Sequence, residues 1–170
     1  TGPGDTAPWQ VVSFPSVYKG GGQSGDITTG SGMPIMVSEL SSVRTGLKTN
    51  ASDVTYKGNT TYDVYFTNSS GYSGGAPDDF LMVWFHANAI NPINSDGEGW
   101  SCAGDEPTYI EACTGAGSVV IQGKTFHRFF GYNSDHRVIS YVPSTSFDEW
   151  EYDLKDFIDD AVAEGAISSS

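Results

Sequence analysis

The sequence predicts an all-β fold, a β-sandwich with one α-helix near the C-terminus, and three observations lead there. Short runs rich in Val, Tyr, Phe and Trp alternate with clusters of Gly, Ser, Thr and Asn, which is the rhythm of strands and turns. Only one stretch, from Ser146 to Gly165, repeats its apolar residues at helical spacing. The 170 residues suffice for one domain with its own core. Residues 1–8, rich in Gly and Pro, read as a flexible arm, and residues 9–170 as the domain.

Taken in order, Trp9 to Tyr18 forms a first strand that Pro15 confines to an edge or a bulge. Lys19 to Gly32 is a glycine-rich loop, and Met33 to Leu40 and Ser41 to Thr49 are two short strands. Thr60 to Thr67 alternates clearly, with Tyr62, Val64 and Phe66 on one side and Asp63, Tyr65 and Thr67 on the other. A turn-rich link, Asn68 to Pro77, leads in hairpin fashion to the strand that organises the chain. Its segment Phe80 to Ala87 is apolar apart from His86, so it is buried on both faces. Phe80, Met82, Trp84 and His86 share one face, suited to the floor of a groove that Asn88 extends, while Leu81, Val83 and Phe85 enter the core. Hairpin pairing brings Asp63 to the groove face beside Met82 and Trp84.

Asn88 to Gly117 is a long loop, followed by strands at Ser118 to Gln122, Thr125 to Tyr132 and Arg137 to Val142, the first two joined by a turn at Gly123-Lys124. The helix then starts in a capping box, Ser146 with Glu149. Trp150, Leu154, Phe157, Ile158, Ala161 and Val162 form its buried stripe, and Gly165 ends it. Glu151, Asp153, Asp156, Asp159 and Asp160 make a solvated outer face.

Composition narrows the function. Eight Lys and Arg against 21 Asp and Glu give a net charge of −13, which leaves too few cations to bind nucleic acid. A neutral ligand suits such a chain. No apolar run approaches the ~20 residues of a membrane span. Cys102 and Cys113 bracket a polar loop and suggest a local disulfide, worth ~2–3 kcal/mol, in an oxidising, extracellular setting. They lack the further ligands of a metal site, and no cofactor motif is present. Asn50, Asn59 and Asn68 begin N-glycosylation triplets.

Several motifs carry a family likeness. Tyr62-Asp63-Val64-Tyr65-Phe66, Asn68 to Ala76 and Leu81-Met82-Val83-Trp84 resemble the core of glycoside hydrolase family 12. Ser13 to Tyr18, Glu39 to Thr45 and Asp153 to Val162 agree in order and spacing. The resemblance implies a jelly roll of two curved antiparallel sheets with one external helix, and a concave cleft for β-1,4-glucan or xyloglucan. It also implies a retaining endoglucanase whose two glutamates stand about 5 Å apart. On that alignment the nucleophile's place is held by Phe80, and Asp63 is the aspartate that assists it. The family's acid/base glutamate lies on a strand beyond the helix, and this chain stops at Ser170. Strands also precede Trp9 in the family, so a jelly roll lacking terminal strands is expected.

Two functions follow from this reading. One is an extracellular β-glucan- or xyloglucan-directed protein with degenerate catalysis, whose substrate contacts are Asp63, Tyr65, Met82, Trp84, His86 and Asn88. The other is a non-catalytic assembly protein whose partner is itself, joined through open sheet edges by strand complementation.

Overall fold

The computed structural model describes residues 16–17, 19–20, 28–50, 58–69, 77–88, 90, 92, 117–133 and 135–168. Among the described residues, seven strands and one α-helix follow in chain order. They are β1 (Arg44–Lys48), β2 (Gly58–Phe66), β3 (Asp79–Asn88), β4 (Ser118–Ile121), β5 (Lys124–Asn133), β6 (His136–Pro143), β7 (Glu149–Asp153) and α1 (Lys155–Ala163). Five strands form one sheet in the order β2-β3-β6-β5-β4, and β1 pairs with β7 in a second. The mostly-β architecture with one C-terminal helix is the one the sequence predicts. One pairing departs from an all-antiparallel scheme: β3 and β6 run parallel, with the β4–β5 hairpin inserted in the crossover between them.

The core lies on one face of the larger sheet. Leu81, Val83 and Phe85 of β3 meet Phe126, Ile139 and Tyr141 from β5 and β6, and α1 covers them with Phe157, Ile158 and Ala161. Each of the Leu, Val, Ile and Phe side chains among them contributes about 1.5–3 kcal/mol on burial. Tyr62, Val64 and Phe66 pack against the same cluster, as their alternation in β2 requires.

The helix starts later than the sequence suggests. Residues 149–153 form β7, registered against β1 from Lys48↔Glu149 to Arg44↔Asp153. Trp150 therefore leaves the helical stripe. It points with Tyr152 from one side of a strand, and the two rings stack at 4.6 Å. Alternation of Glu149, Glu151 and Asp153 with these rings outweighs the local Ser146–Glu149 pattern, because a paired strand buries two aromatics that an isolated first turn leaves loose. The carboxylate of Asp153 accepts from Ser42 Oγ (2.5 Å), the Val43 amide (2.7 Å) and the Lys155 amide (3.0 Å), so it ties β1 to the first turn of α1. These donors hold its carboxyl below the usual aspartate range, the Ser42 hydroxyl most of all. At the other end Gly165, at φ +72°, lets Ala166 N donate to Ala161 O (2.9 Å) and Gly165 N to Val162 O (3.0 Å), a Schellman termination.

Three further expectations change. Met33 to Leu40 is not a strand but holds a single 3-10 turn, Val37–Glu39, after a cis Met33–Pro34 bond; Pro34 has no amide to give a ladder. The β4–β5 turn sits one residue earlier, at Gln122-Gly123, with φ of +47° and +82°. Gln122 takes this disfavoured conformation while its side-chain amide bonds Asp153 O (2.9 Å), Asp156 Oδ2 (2.7 Å) and Asp153 N (3.2 Å). Asp160 does not belong to a solvated face. It accepts from Tyr141 Oη (2.8 Å) and pairs with Arg128 (3.3 Å), which also reaches Glu164. The strand expected at 9–18 falls largely outside the described residues.

The start of β3 is fixed by an ion pair. Asp79 is 3% exposed and takes both Arg137 Nε (2.7 Å) and Nη2 (2.8 Å) across the parallel β3–β6 pair, while Arg137 Nη1 reaches Gly165 O (3.4 Å). Arg137→Ala strands a buried carboxylate, so urea unfolding should show a loss of about 3 kcal/mol or more. Arg137→Lys should recover only part of it, because an ammonium cannot make the two-pronged contact.

Candidate ligand-binding face

The face of the larger sheet turned away from α1 carries Asp63, Tyr65, Met82 and Trp84, four of the residues that the sequence assigns to a groove. Ladder registers line them up in rows across neighbouring strands. Asp63, Met82, Ser140 and Phe129 form one row over β2, β3, β6 and β5, and Tyr65, Phe80, Val138 and Gly131 the next. Thr61 faces Trp84 in the row on the other side of Asp63. Asp63 does lie opposite Met82, as hairpin spacing suggested. Phe129, Ser140 and Val142 also belong to this face, and the alternation of Arg137 to Val142 carries the signal for the two in β6.

A bulge limits how far the face extends along β3. Thr60 pairs with His86 and Thr61 with Trp84, so Phe85 is an extra residue and the alternation inverts beyond it. Ala87 comes to pack against the cluster of Trp84, Phe129 and Val142. His86 and Asn88 take the parity of the core side. The two ring nitrogens of His86 are buried without a hydrogen-bond partner. The structure thus brings Asp63, Tyr65, Met82 and Trp84 together and parts them from His86 and Asn88.

Trp84 is 2% exposed and packs against Phe129 and Val142 with Met82, Ala87 and Ile90 around it. Its indole Nε1 and the Ser140 hydroxyl are buried without partners. Phe80, 9% exposed, sits between two ring edges, Tyr65 at 5.1 Å and His136 at 5.9 Å, so three adjacent strands each contribute one ring. Within the five strands Asp63 is the sole carboxylate on this face; Asp79 points to the other and is paired. Burial pushes the Asp63 carboxyl above the usual aspartate range, partly offset by the Thr61 hydroxyl that donates to it at 2.6 Å. Such a carboxyl is biased toward its neutral form and suits hydrogen bonding to hydroxyl groups better than nucleophilic attack.

Cys102 and Cys113 lie outside the described residues. Asn50, Asn59 and Asn68 are all exposed. Among the described residues, no helix is long and apolar enough to cross a membrane.

Because the folded-state pKa of Asp63 is raised, its favourable contribution is complete below the unfolded value of 3.8 and is lost as pH rises through the folded value. Asp63→Asn should therefore be more stable than the parent at about pH 7, with the difference closing toward about pH 3. Paired thermal unfolding at the two pH values reads this directly. A stability difference that grows on acidification would contradict it.

The chain is similar to known proteins along most of its length. It is 23% identical over 142 residues to the probable cellulase Cel12b of Mycobacterium tuberculosis, covering 83% of this chain and 80% of that one. It is 28% identical over 135 residues to the xyloglucan-specific endo-beta-1,4-glucanase A of Emericella nidulans, covering 79% of this chain and 48% of that one. Endoglucanase cel12A from Rhodothermus marinus superposes with a TM-score of 0.68 at 29% identity, over 88% of this chain and 58% of that one. A solved family 12 glycoside hydrolase compared for thermal stability gives a TM-score of 0.70 at 23% identity, over 92% and 61%. The chain thus spans little more than half of the solved structures it matches. The family model for glycosyl hydrolase family 12 matches residues 5–169, nearly the whole of the sequence. With that match and a fold shared with solved members, this chain belongs to glycosyl hydrolase family 12.

Proposed function

We propose that this chain is directed at β-1,4-glucan or xyloglucan outside the cell, and that it holds the polymer without performing the hydrolysis that its relatives' names describe. The observation that carries this reading is Phe80. It stands where the family resemblance puts the nucleophile, and its neighbours across the strands are the rings of Tyr65 and His136 rather than an acid. A retaining mechanism needs two carboxyl groups about 5 Å apart on either side of the glycosidic bond. A phenyl ring supplies neither a nucleophile nor a base, and Asp63 alone, biased toward protonation, does not replace the pair.

Binding is a different matter. Neutral sugars present apolar ring faces and a rim of hydroxyls, and they are met by aromatic or thioether surface with a few hydrogen-bonding groups. Tyr65 and Met82, both half-buried, supply the first, and Asp63 the second. Trp84, buried in the neighbouring row, backs that surface, while His86 and Asn88 fall outside the set because of the bulge.

The test measures release of reducing ends from β-glucan and xyloglucan beside calorimetric binding of cello-oligosaccharides. The unaltered chain should bind and release nothing. Tyr65→Ala should weaken binding about tenfold, equivalent to ~1.4 kcal/mol. Phe80→Glu should also release nothing, and it should unfold more easily because a carboxylate at this buried position has no partner. Reducing ends from the unaltered chain would overturn the reading and point to another pair of acids.

A further inference from the structure

Three asparagines begin acceptor triplets: Asn50-Ala51-Ser52, Asn59-Thr60-Thr61 and Asn68-Ser69-Ser70. All three are exposed, and none of their side-chain amides has a hydrogen-bond partner among the described residues. Asn50 follows β1 and Asn68 follows β2, both in connecting segments. Asn59 differs, because it lies within β2 directly opposite Ala87. Its parity is that of Thr61, Asp63 and Tyr65, so it lies on the same side of the sheet, beyond the residues proposed to touch the ligand. Ala87 packs against the cluster of Trp84, Phe129 and Val142, and the register places Asn59 at the end of that face remote from Phe80 and Tyr65.

We propose that the chain is N-glycosylated at these asparagines, and that the glycan on Asn59 closes the Trp84–Ala87 end of the ligand-binding face. In the transfer, Asn59 Nδ2 loses one proton and bonds to the anomeric carbon of a sugar. The bond from that carbon to the oxygen of a lipid-linked pyrophosphate breaks, and the pyrophosphate leaves with the electron pair. A sugar chain starting there lies across the end of the groove. A linear glucan is then admitted over Asp63, Met82, Tyr65 and Phe80 and stopped beyond Trp84. The modification stands on the sequence and on exposure, whereas the closure rests on the function proposed above.

Glycopeptide mass mapping of the chain recovered from its own host tests the first part. Sugar-bearing peptides are expected at Asn59, Asn68 and Asn50, and an Asn59 peptide found only at its unmodified mass would overturn the proposal. The second part compares the glycosylated chain with Asn59→Gln from the same host, against cello-oligosaccharides of increasing length. Short oligosaccharides should bind both proteins alike, and long ones should bind the variant several-fold more tightly. Equal affinities at every length would overturn closure. No binding by either protein would overturn the ligand reading and closure with it, while leaving the glycan map to be judged by itself. Circular dichroism confirms that the variant is folded.

Discussion

Strand β3 is paired on both sides, antiparallel to β2 and parallel to β6, and the rest of the molecule depends on that double pairing. A strand held on one side can slip; one held on two must break both ladders to do so. A slip of one residue would exchange Leu81, Val83 and Phe85 with Phe80, Met82 and Trp84, moving two large aromatic residues into the space that α1 fills. Asp79 and Arg137 lock the register at one end, and the bulge at Phe85 absorbs a residue at the other. Between those two points the rows of the far face are fixed, and so is the pairing of Asp63 with Met82.

The same strand shows how much of this architecture was legible. Alternation in β2 and β3 identified both faces, since period-two patterns are local and strong. Beyond Trp84 the pattern continues without any Gly or Pro to mark a bulge, so alternation alone puts His86 in the groove, whereas the backbone turns Ala87 there instead. The helix starts later than its local pattern implies for a related reason. Ser146 and Glu149 satisfy a four-residue rule, but the choice between strand and helix at 149–153 was made by β1, a hundred residues earlier in the chain. Asp160 looked like one more exposed acid, and only folding brings Arg128 and Tyr141 to it. Local patterns gave the elements; partners distant in sequence decided where they begin and which polar groups they bury.

The candidate site was readable in part. Asp63 and Met82 could be paired on paper because a hairpin links their strands directly. Phe129, Ser140 and Val142 join them through a parallel crossover, and no spacing rule predicts which strand will be the neighbour of β3 on that side. Trp84 was visible as a bulky residue on the right face. That it would be floor rather than surface depends on Phe129 and Val142, and so on the same unreadable adjacency.

A phenyl ring at Phe80, where the proposed reading expects a carboxylate, bears on the electrostatics of the whole face. The chain carries a net charge of −13, yet its acids cluster on β7 and α1, at Glu149, Glu151, Asp156 and Asp159. The five strands present a single carboxyl on the far face, and burial already biases that one toward protonation. A second carboxylate beside it would raise its pKa further or be raised itself, which is the tension that hydrolytic pairs exploit. With a phenyl ring in that place the tension is gone. What remains is an aromatic surface with one carboxyl on a strongly acidic protein.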